Sequence, residues 1–268
     1  MHNNNYGTAN TAWLSNIRDV STCGSEISPR GINTLEILDQ SCVFDMNYPI
    51  CYSPSRKLSY KFMAAEAYWI TSGSMFVEDI APYNKHIQKF SDDNHIFNGN
   101  YGVPFIHQLQ SVINALVDDR DSRQAVMTIW RPNPIKTKDY PCTISLMFSI
   151  RDNKINTKVV MRSQDLFLGQ PYDFFNFTMM TLRVLSGINA KVEDMMSLGN
   201  MYWSGFSTHI YENNLEACRT ILQEPIQNTT SKVPEEAMYD WNFVANSLIA
   251  CRDMVSTEGL WQIRPEVQ

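Results

Sequence analysis

Pro141-Cys142-Thr143 opens an apolar run, and twenty residues further on the chain reads Arg162-Ser163-Gln164-Asp165-Leu166-Phe167-Leu168-Gly169, with Pro171-Tyr172-Asp173 close behind. Thr143 to Ile150 and Asn156 to Met161 read as two strands, and Arg151-Asp152-Asn153-Lys154 between them has the composition of a hairpin turn. Pro171 suits the first position of a helix running to about Leu185, which places Asp173 in its first turn. A thiol, a cation, a turn glycine and two carboxylates are thereby gathered on a hairpin, a loop and a helix start.

Outward from this segment, Ala125 to Trp130 reads as another strand. Phe105 to Val117 reads as a helix, with Ile106, Leu109, Val112, Ile113, Leu116 and Val117 at helical spacing. Lys57 to Ser72 is helical in pattern and stops at Gly73, a C-terminal cap. Gly31 to Phe44 is extended in character and follows the turn Ser28-Pro29-Arg30-Gly31. A last helix is expected after Thr208, and Gln223 to Glu236 reads as a polar loop. Residues 1–12 look like a flexible polar tail. No repeat or linker divides the remainder, so residues 13–268 are expected to form a single α+β domain.

Composition excludes several classes. The chain is 44% hydrophobic and 19% charged, which fits a packed globular protein rather than a disordered one. Its net charge of −6 argues against nucleic-acid binding through a basic face, so an anionic ligand must be held by a few placed arginines. No run approaches the roughly 20 apolar residues of a membrane span. The start, Met1-His2-Asn3-Asn4-Asn5, lacks the order of a secretory signal, which makes the cytoplasm the expected compartment. Six cysteines without paired spacing suggest neither a disulfide framework nor a metal site.

Each candidate residue also has an ordinary reading. Cys142 alone is core by type, since free cysteine is among the most buried residues. Arg162 ends a strand that should pair with the cysteine strand, so its cation could favour a thiolate. Arg162-Ser163 is either a strand end meeting solvent or a grip for an oxyanion. Arg30 and Arg123 offer further cations from turns, or are solvated charges. Glu66, in the apolar stretch Met63-Ala64-Ala65-Glu66-Ala67-Tyr68-Trp69, is a general acid/base if buried and a snorkelling surface group if not. His209 and Tyr211 share one face of a strand or open a helix, and both could be hydrogen-bonding core residues.

Taken together, these motifs resemble the thymidylate synthase family, including its dCMP hydroxymethylase branch, over roughly residues 28–222. The resemblance rests on Pro141-Cys142 with Arg162-Ser163-x-Asp165-x-Phe167-x-Gly169-x-Pro171-Tyr172. It is supported by Glu66-x-x-Trp69, Tyr101-Gly102, Asp121-Ser122-Arg123 and Thr208-His209-Ile210-Tyr211. It implies a mixed β-sheet flanked by helices and a homodimer packed sheet to sheet. It further implies that Cys142 adds to C6 of a pyrimidine nucleotide, making C5 a carbon nucleophile toward the one-carbon unit of the co-substrate 5,10-methylenetetrahydrofolate.

Carried over by position, the resemblance assigns Arg30, Arg162 and Ser163 to the 5′-phosphate, with Arg123 reaching it from the partner subunit. His209 and Tyr211 would contact the deoxyribose, and Asp165 the pterin. Gly169, Trp69, Ile87 and Phe90 would lie on the folate side. Tyr101 would help a water remove the C5 proton, and Glu66 would organise proton transfers around the ring.

Departures from the synthase pattern indicate the substrate. Asp173 replaces an asparagine that pairs with N3–H and O4 of uracil. Cytosine reverses both edges; a carboxylic acid can donate to N3 while accepting from the amino group, or a carboxylate can pair with a ring protonated at N3. The same aspartate also has a plain reading, as a carboxylate answering the dipole at a helix N-terminus. Thr143 stands where synthases usually have histidine, and Gln124 replaces a second phosphate arginine. Ile87 and Phe90 occupy the region of two tryptophans, and Arg264-Pro265-Glu266-Val267-Gln268 does not match the apolar tail that closes over folate. Less shielding admits water and favours a hydroxymethyl product over a methyl one. The expectation is a dCMP hydroxymethylase. Its rivals are a thymidylate synthase or dCMP methyltransferase, a CMP hydroxymethylase and a silent nucleotide-binding homologue. Use of hydroxymethylcytosine by phages makes action in a host cytoplasm the contextual expectation.

Overall fold

The computed structural model describes residues 7–225 and 231–253. Helix α1 (Ala9–Cys23) is followed by strands β1 (Ser25–Ile27) and β2 (Thr34–Asp45), then helices α2 (Tyr60–Ser72), α3 (Val77–Ile80) and α4 (Gly102–Asp118). Strands β3 (Val126–Thr128), β4 (Thr143–Arg151) and β5 (Lys154–Asp165) lead to helix α5 (Gln170–Asn189). Strand β6 (Ser197–Tyr211) and helices α6 (Leu215–Gln223) and α7 (Trp241–Arg252) complete the described chain.

Among the described residues six strands form one sheet in the order β1-β2-β6-β5-β4-β3. Only β5 and β6 run parallel, so the sheet is mixed and the architecture α+β, as expected. The β4–β5 hairpin forms where composition placed it. Arg151 pairs with Lys154, and Asp152 and Asn153 take φ of 52° and 54°, the left-handed pair that a two-residue primed turn requires. Helix α2 begins at Tyr60, capped by the Ser59 hydroxyl, and stops at Gly73 with φ 84°.

Along β5 the side chains of Ile155, Thr157, Val159 and Met161 are buried, while their neighbours are only half covered. That alternation sets the helical layer on one face of the sheet. Helix α5 is the centre of this layer, buried on nearly every side from Gln170 to Asn189, with the buried Thr178 and Thr181 hydroxyls donating to the carbonyls of Phe174 and Phe177. The other face carries Val126, Met147 and Tyr202, which share one row across the sheet through Lys158 and remain exposed.

Three elements differ from the sequence reading. Residues 9–12, expected in the tail, open α1: Thr8 and Thr11 exchange backbone N–H and hydroxyl in a capping box, and Ala9, Asn10 and Ala12 are buried. Residues 1–6 lie outside the described residues. The helix expected directly after Thr208 gives way to β6, which continues to Tyr211, and α6 begins only at Leu215. Helix α7 falls in a region that received no assignment. Within the expected polar loop, residues 226–230 lie outside the described residues, as does the 264–268 segment.

Candidate functional site

Beside β4, between α2, α4 and α5, lies a cavity of about 310 Å³. Its wall includes Glu66, Tyr101, Asp139, Cys142, Asp173 and Asn176 on the polar side. Trp69, Ile70, Ile87, Phe90 and Phe97 form an apolar side on which a flat heterocycle can lie. Two other concavities, one beside β1 and one at the β4–β5 turn, are lined by neither cysteine nor histidine.

Cys142 is half-buried at the head of β4. The paired strand β5 brings Arg162 to it: the Arg162 N–H donates to the Cys142 carbonyl at 2.9 Å, and Nη2 lies 3.8 Å from Sγ. The guanidinium is fixed by donating from Nε to Pro141 O at 2.9 Å and from Nη2 to Tyr140 O at 3.0 Å, and it lies over the Trp130 ring. The expected cation therefore stands beside the sulfur. Even so, burial raises the thiol above its ordinary pKa; Arg162 opposes this, and Asp173, Asp139 and Asp165 add to it. Burial outweighs the single guanidinium in the balance.

The two acids of the cavity are both displaced upward. Glu66, on α2, is pushed up to about 7 by burial, against a hydrogen bond from Asn176 and with the Asp173 charge adding to the rise. Asp173, in the first turn of α5, is pushed up to about 6 by burial, opposed by Gln164 and assisted by Asp165. Asn176 Nδ2 donates to Glu66 Oε2 at 2.8 Å, and Gln164 Nε2 donates to Asp173 Oδ2 at 2.7 Å. Each carboxyl can thus change protonation near neutrality, the property asked of an acid/base pair. Tyr101 caps α4, and its hydroxyl accepts the Thr143 N–H at 3.3 Å; burial raises it well above the usual phenol value.

The loop between β5 and α5 holds the remaining motif. Asp165 Oδ1 accepts from the N–H groups of Phe167 and Leu168 at 2.8 and 2.9 Å, so this carboxyl folds the turn. Burial raises its pKa against those bonds and against His209 and Arg56. Arg56 donates from Nε to Phe167 O at 3.1 Å and lies over the Phe167 ring, while Trp13 Nε1 donates to Leu166 O at 2.7 Å. Gly169 sits at a close approach: a Cβ there would stand 3.1 Å from Gln164 Nε2 and 3.3 Å from Asp173 Oδ2, so these side chains would have to give way.

Of the expected site residues, Cys142, Glu66, Tyr101, Asp173, Gly169, Trp69, Ile87 and Phe90 line this cavity. Trp69 is anchored by Nε1 donating to Phe76 O at 3.1 Å and meets Phe97 edge to face, whereas Phe90 is 45% exposed. Ser163 pairs with Ser207 and Asp165 with His209 across β5 and β6. His209 is buried and meets Tyr211 edge to face on β6, so the strand alternative holds for that pair. Arg30 and Arg123 are exposed on turns and are not part of the cavity wall. Arg30 takes φ 55° within the turn Pro29–Gly31. Asp139, Asn176 and Gln164 were not anticipated. The spacing of Asn176 three residues after Asp173, on the same helical face, was the available signal.

Fold and cavity define an α+β protein whose half-buried acids and thiol share one wall. The thymidylate synthase family model matches residues 11–248, and the chain belongs to that family. It is a family of folate-dependent one-carbon transferases of nucleotide biosynthesis that act at C5 of pyrimidines with methylenetetrahydrofolate as co-substrate, typically as homodimers.

Proposed function

We propose that this protein hydroxymethylates dCMP at C5, using 5,10-methylenetetrahydrofolate and water and releasing 5-hydroxymethyl-dCMP and tetrahydrofolate. The observation that carries this reading is Asp173: a half-buried carboxyl on the cavity wall, pushed up to about 6, standing where the family's synthases have an asparagine. As an acid it donates to N3 and accepts from the exocyclic amino group of cytosine. Against uracil it would leave acceptors facing each other.

In this reading Cys142 Sγ bonds to C6, and the ring electrons move toward C5 and N3. The proton offered by Asp173 at N3 offsets the charge that this addition develops. The bound co-substrate supplies the one-carbon unit that C5 takes up. Tyr101 orients the water that takes the C5 proton, and Glu66 returns and removes protons around the ring at a pKa suited to both roles. Loss of the C5 proton expels tetrahydrofolate from the methylene now on C5, water adds its hydroxyl to that carbon, and elimination of Cys142 from C6 restores the ring. Arg162 and Ser163 hold the phosphate with Arg30, His209 and Tyr211 meet the sugar, and Asp165 meets the pterin.

The exposed row Val126, Met147 and Tyr202, with Leu38 and Phe206, is the surface that a sheet-to-sheet homodimer would cover. Arg123, exposed just before β3, is the cation that such a dimer would offer to the partner's phosphate. No helix among the described residues is long and apolar enough to cross a membrane, and we place the protein in the cytoplasm.

The test is release of C5 tritium from dCMP and from dUMP with methylenetetrahydrofolate, followed by mass analysis of the product. Release from dCMP with gain of a hydroxymethyl group is expected. A methyl product with dihydrofolate would turn the reading toward a methyltransferase, and release from dUMP alone would overturn the base assignment.

A further inference from the structure

Two buried amides stand behind the two acids of the cavity, and they stand in the same way. Gln164 and Asn176 are each 2% exposed. Gln164 gives its Nε2 to Asp173 Oδ2 at 2.7 Å, and Asn176 gives its Nδ2 to Glu66 Oε2 at 2.8 Å. In both, the amide oxygen is buried without a hydrogen-bond partner among the described residues. A buried acceptor left unpaired disfavours the fold, and a leucine or methionine of similar volume would avoid it. Neither amide orientation is arbitrary. Turned over, each would set its oxygen against an oxygen of the ionised carboxyl and leave the N–H groups unpaired, so the observed orientation is the one that suits the ionised form.

We propose that Gln164 and Asn176 are positioning residues, a pair of amides that fix where Asp173 and Glu66 point and favour the ionised form of each. This rests on the reading of Asp173 and Glu66 as the acids of the proposed reaction. The two amides come from different elements, the end of β5 and the second turn of α5, yet perform one task on neighbouring carboxyls. The local fold bears two unpaired oxygens for it. The other titratable groups around the pair are Asp165 at the end of β5, Tyr101 at the start of α4, and Cys142 and Asp139 beside β4, with Arg162 beyond the thiol. Of these, only Arg162 is a cation, so the amides are the neutral donors that counter a mostly acidic neighbourhood.

The test separates positioning from packing and does not depend on turnover. Asp and Glu carboxyl carbons are labelled with ¹³C, and the Glu66 and Asp173 resonances, assigned by E66Q and D173N, are titrated in the full chain. In Asn176→Leu the Glu66 midpoint should rise by about one to two pH units, the loss of one hydrogen bond to a charged group. Asn176→Ser, which keeps a donor, should return it partway. Gln164→Met should move Asp173 in the same direction. Thermal stability at pH 5, where both acids are largely protonated, should hold or rise because an unpaired oxygen is removed. Midpoints that stay within a few tenths of a unit, with a fall in melting temperature, would make the amides packing residues and overturn the proposal. Tritium release, measured in parallel on the unmodified protein, reports separately on the reaction. Shifted midpoints without release would sink the reaction and leave the amide geometry standing.

Discussion

Replacing Asp173 by Asn tests the base assignment, and its size follows from the cavity. Asp173 is half-buried on the cavity wall and receives one N–H from Gln164, which leaves its second oxygen for a bound base. Asparagine is nearly isosteric, and its Oδ1 can keep the Gln164 bond. Its Nδ2 then meets cytosine N3 and the base's amino group, leaving one donor facing another. An unpaired buried polar group costs on the order of 1–3 kcal/mol, which is roughly a five- to 150-fold loss in kcat/KM for dCMP. The same amide matches uracil O4, so kcat/KM for dUMP should rise by a comparable factor. The pH profile adds a second readout. The acid form of Asp173 supplies the N3 proton, so kcat/KM for dCMP should decline as pH rises through about 6, and D173N should lack that limb. The assay is C5-tritium release from each nucleotide under matched folate, between pH 5 and 8. Equal losses on both bases, or an unchanged pH limb in D173N, would rule out Asp173 as the residue that reads the base.

Cys142→Ala should abolish tritium release, by a factor of at least about a thousand, while leaving the circular dichroism spectrum unchanged, because the thiol is the one nucleophile the reaction employs. Glu66→Gln should stabilise the fold in alkaline solution. The folded value of about 7 lies above the ordinary 4.5, so the stabilising contribution of the protonated acid is complete below 4.5 and is lost as pH rises through about 7. The difference from the unmodified protein should therefore approach about 3 kcal/mol at pH 8 and close near pH 4, as read by urea unfolding. Gly169→Ala would place a methyl against Gln164 Nε2 and Asp173 Oδ2. Its KM for dCMP should rise several-fold with little change in melting temperature; an unchanged KM would show that the loop gives way at no expense to Asp173.

How much was legible in the sequence depended on which residues carry each element. The β4–β5 hairpin, α2 and α4 announce themselves through Asn153 in its turn, Gly73 as a cap and apolar spacing that matches the period of the element. Helix α1 does not, because Asn10 and Asn16 are buried there and held by partners elsewhere in the fold: Asn10 Oδ1 accepts the Tyr52 N–H at 3.0 Å, and Asn16 Nδ2 donates to Gln170 Oε1 at 3.1 Å. A segment that hides asparagines reads as a tail. Strand β6 is obscured for a different reason. It holds three serines, two glycines and an asparagine, and its extended form is imposed by β2 on one side and β5 on the other rather than by its own propensity.

The site divides along the same line. Cys142, Glu66, Tyr101 and Asp173 meet at the cavity through motifs readable in one dimension. Gln164 carries no such signature and Asn176 only its spacing from Asp173, since a buried amide is distinguished from a surface one by what stands opposite it. The upward shift of Cys142 was equally hidden: sequence pairing supplied Arg162 but not the depth of burial or the three aspartates around the sulfur.

The most direct test of the account uses 5-fluoro-dCMP, in which fluorine takes the place of the C5 proton that the reaction must remove. Incubated with methylenetetrahydrofolate, it should halt the reaction with the nucleotide bound to the protein. All six cysteines are free, so peptide mass mapping decides which one reacts. A covalent adduct of nucleotide and folate on the Cys142 peptide, formed with 5-fluoro-dCMP in preference to 5-fluoro-dUMP, is the predicted result. No adduct, an adduct on another cysteine, or trapping by the uracil analogue alone would contradict it.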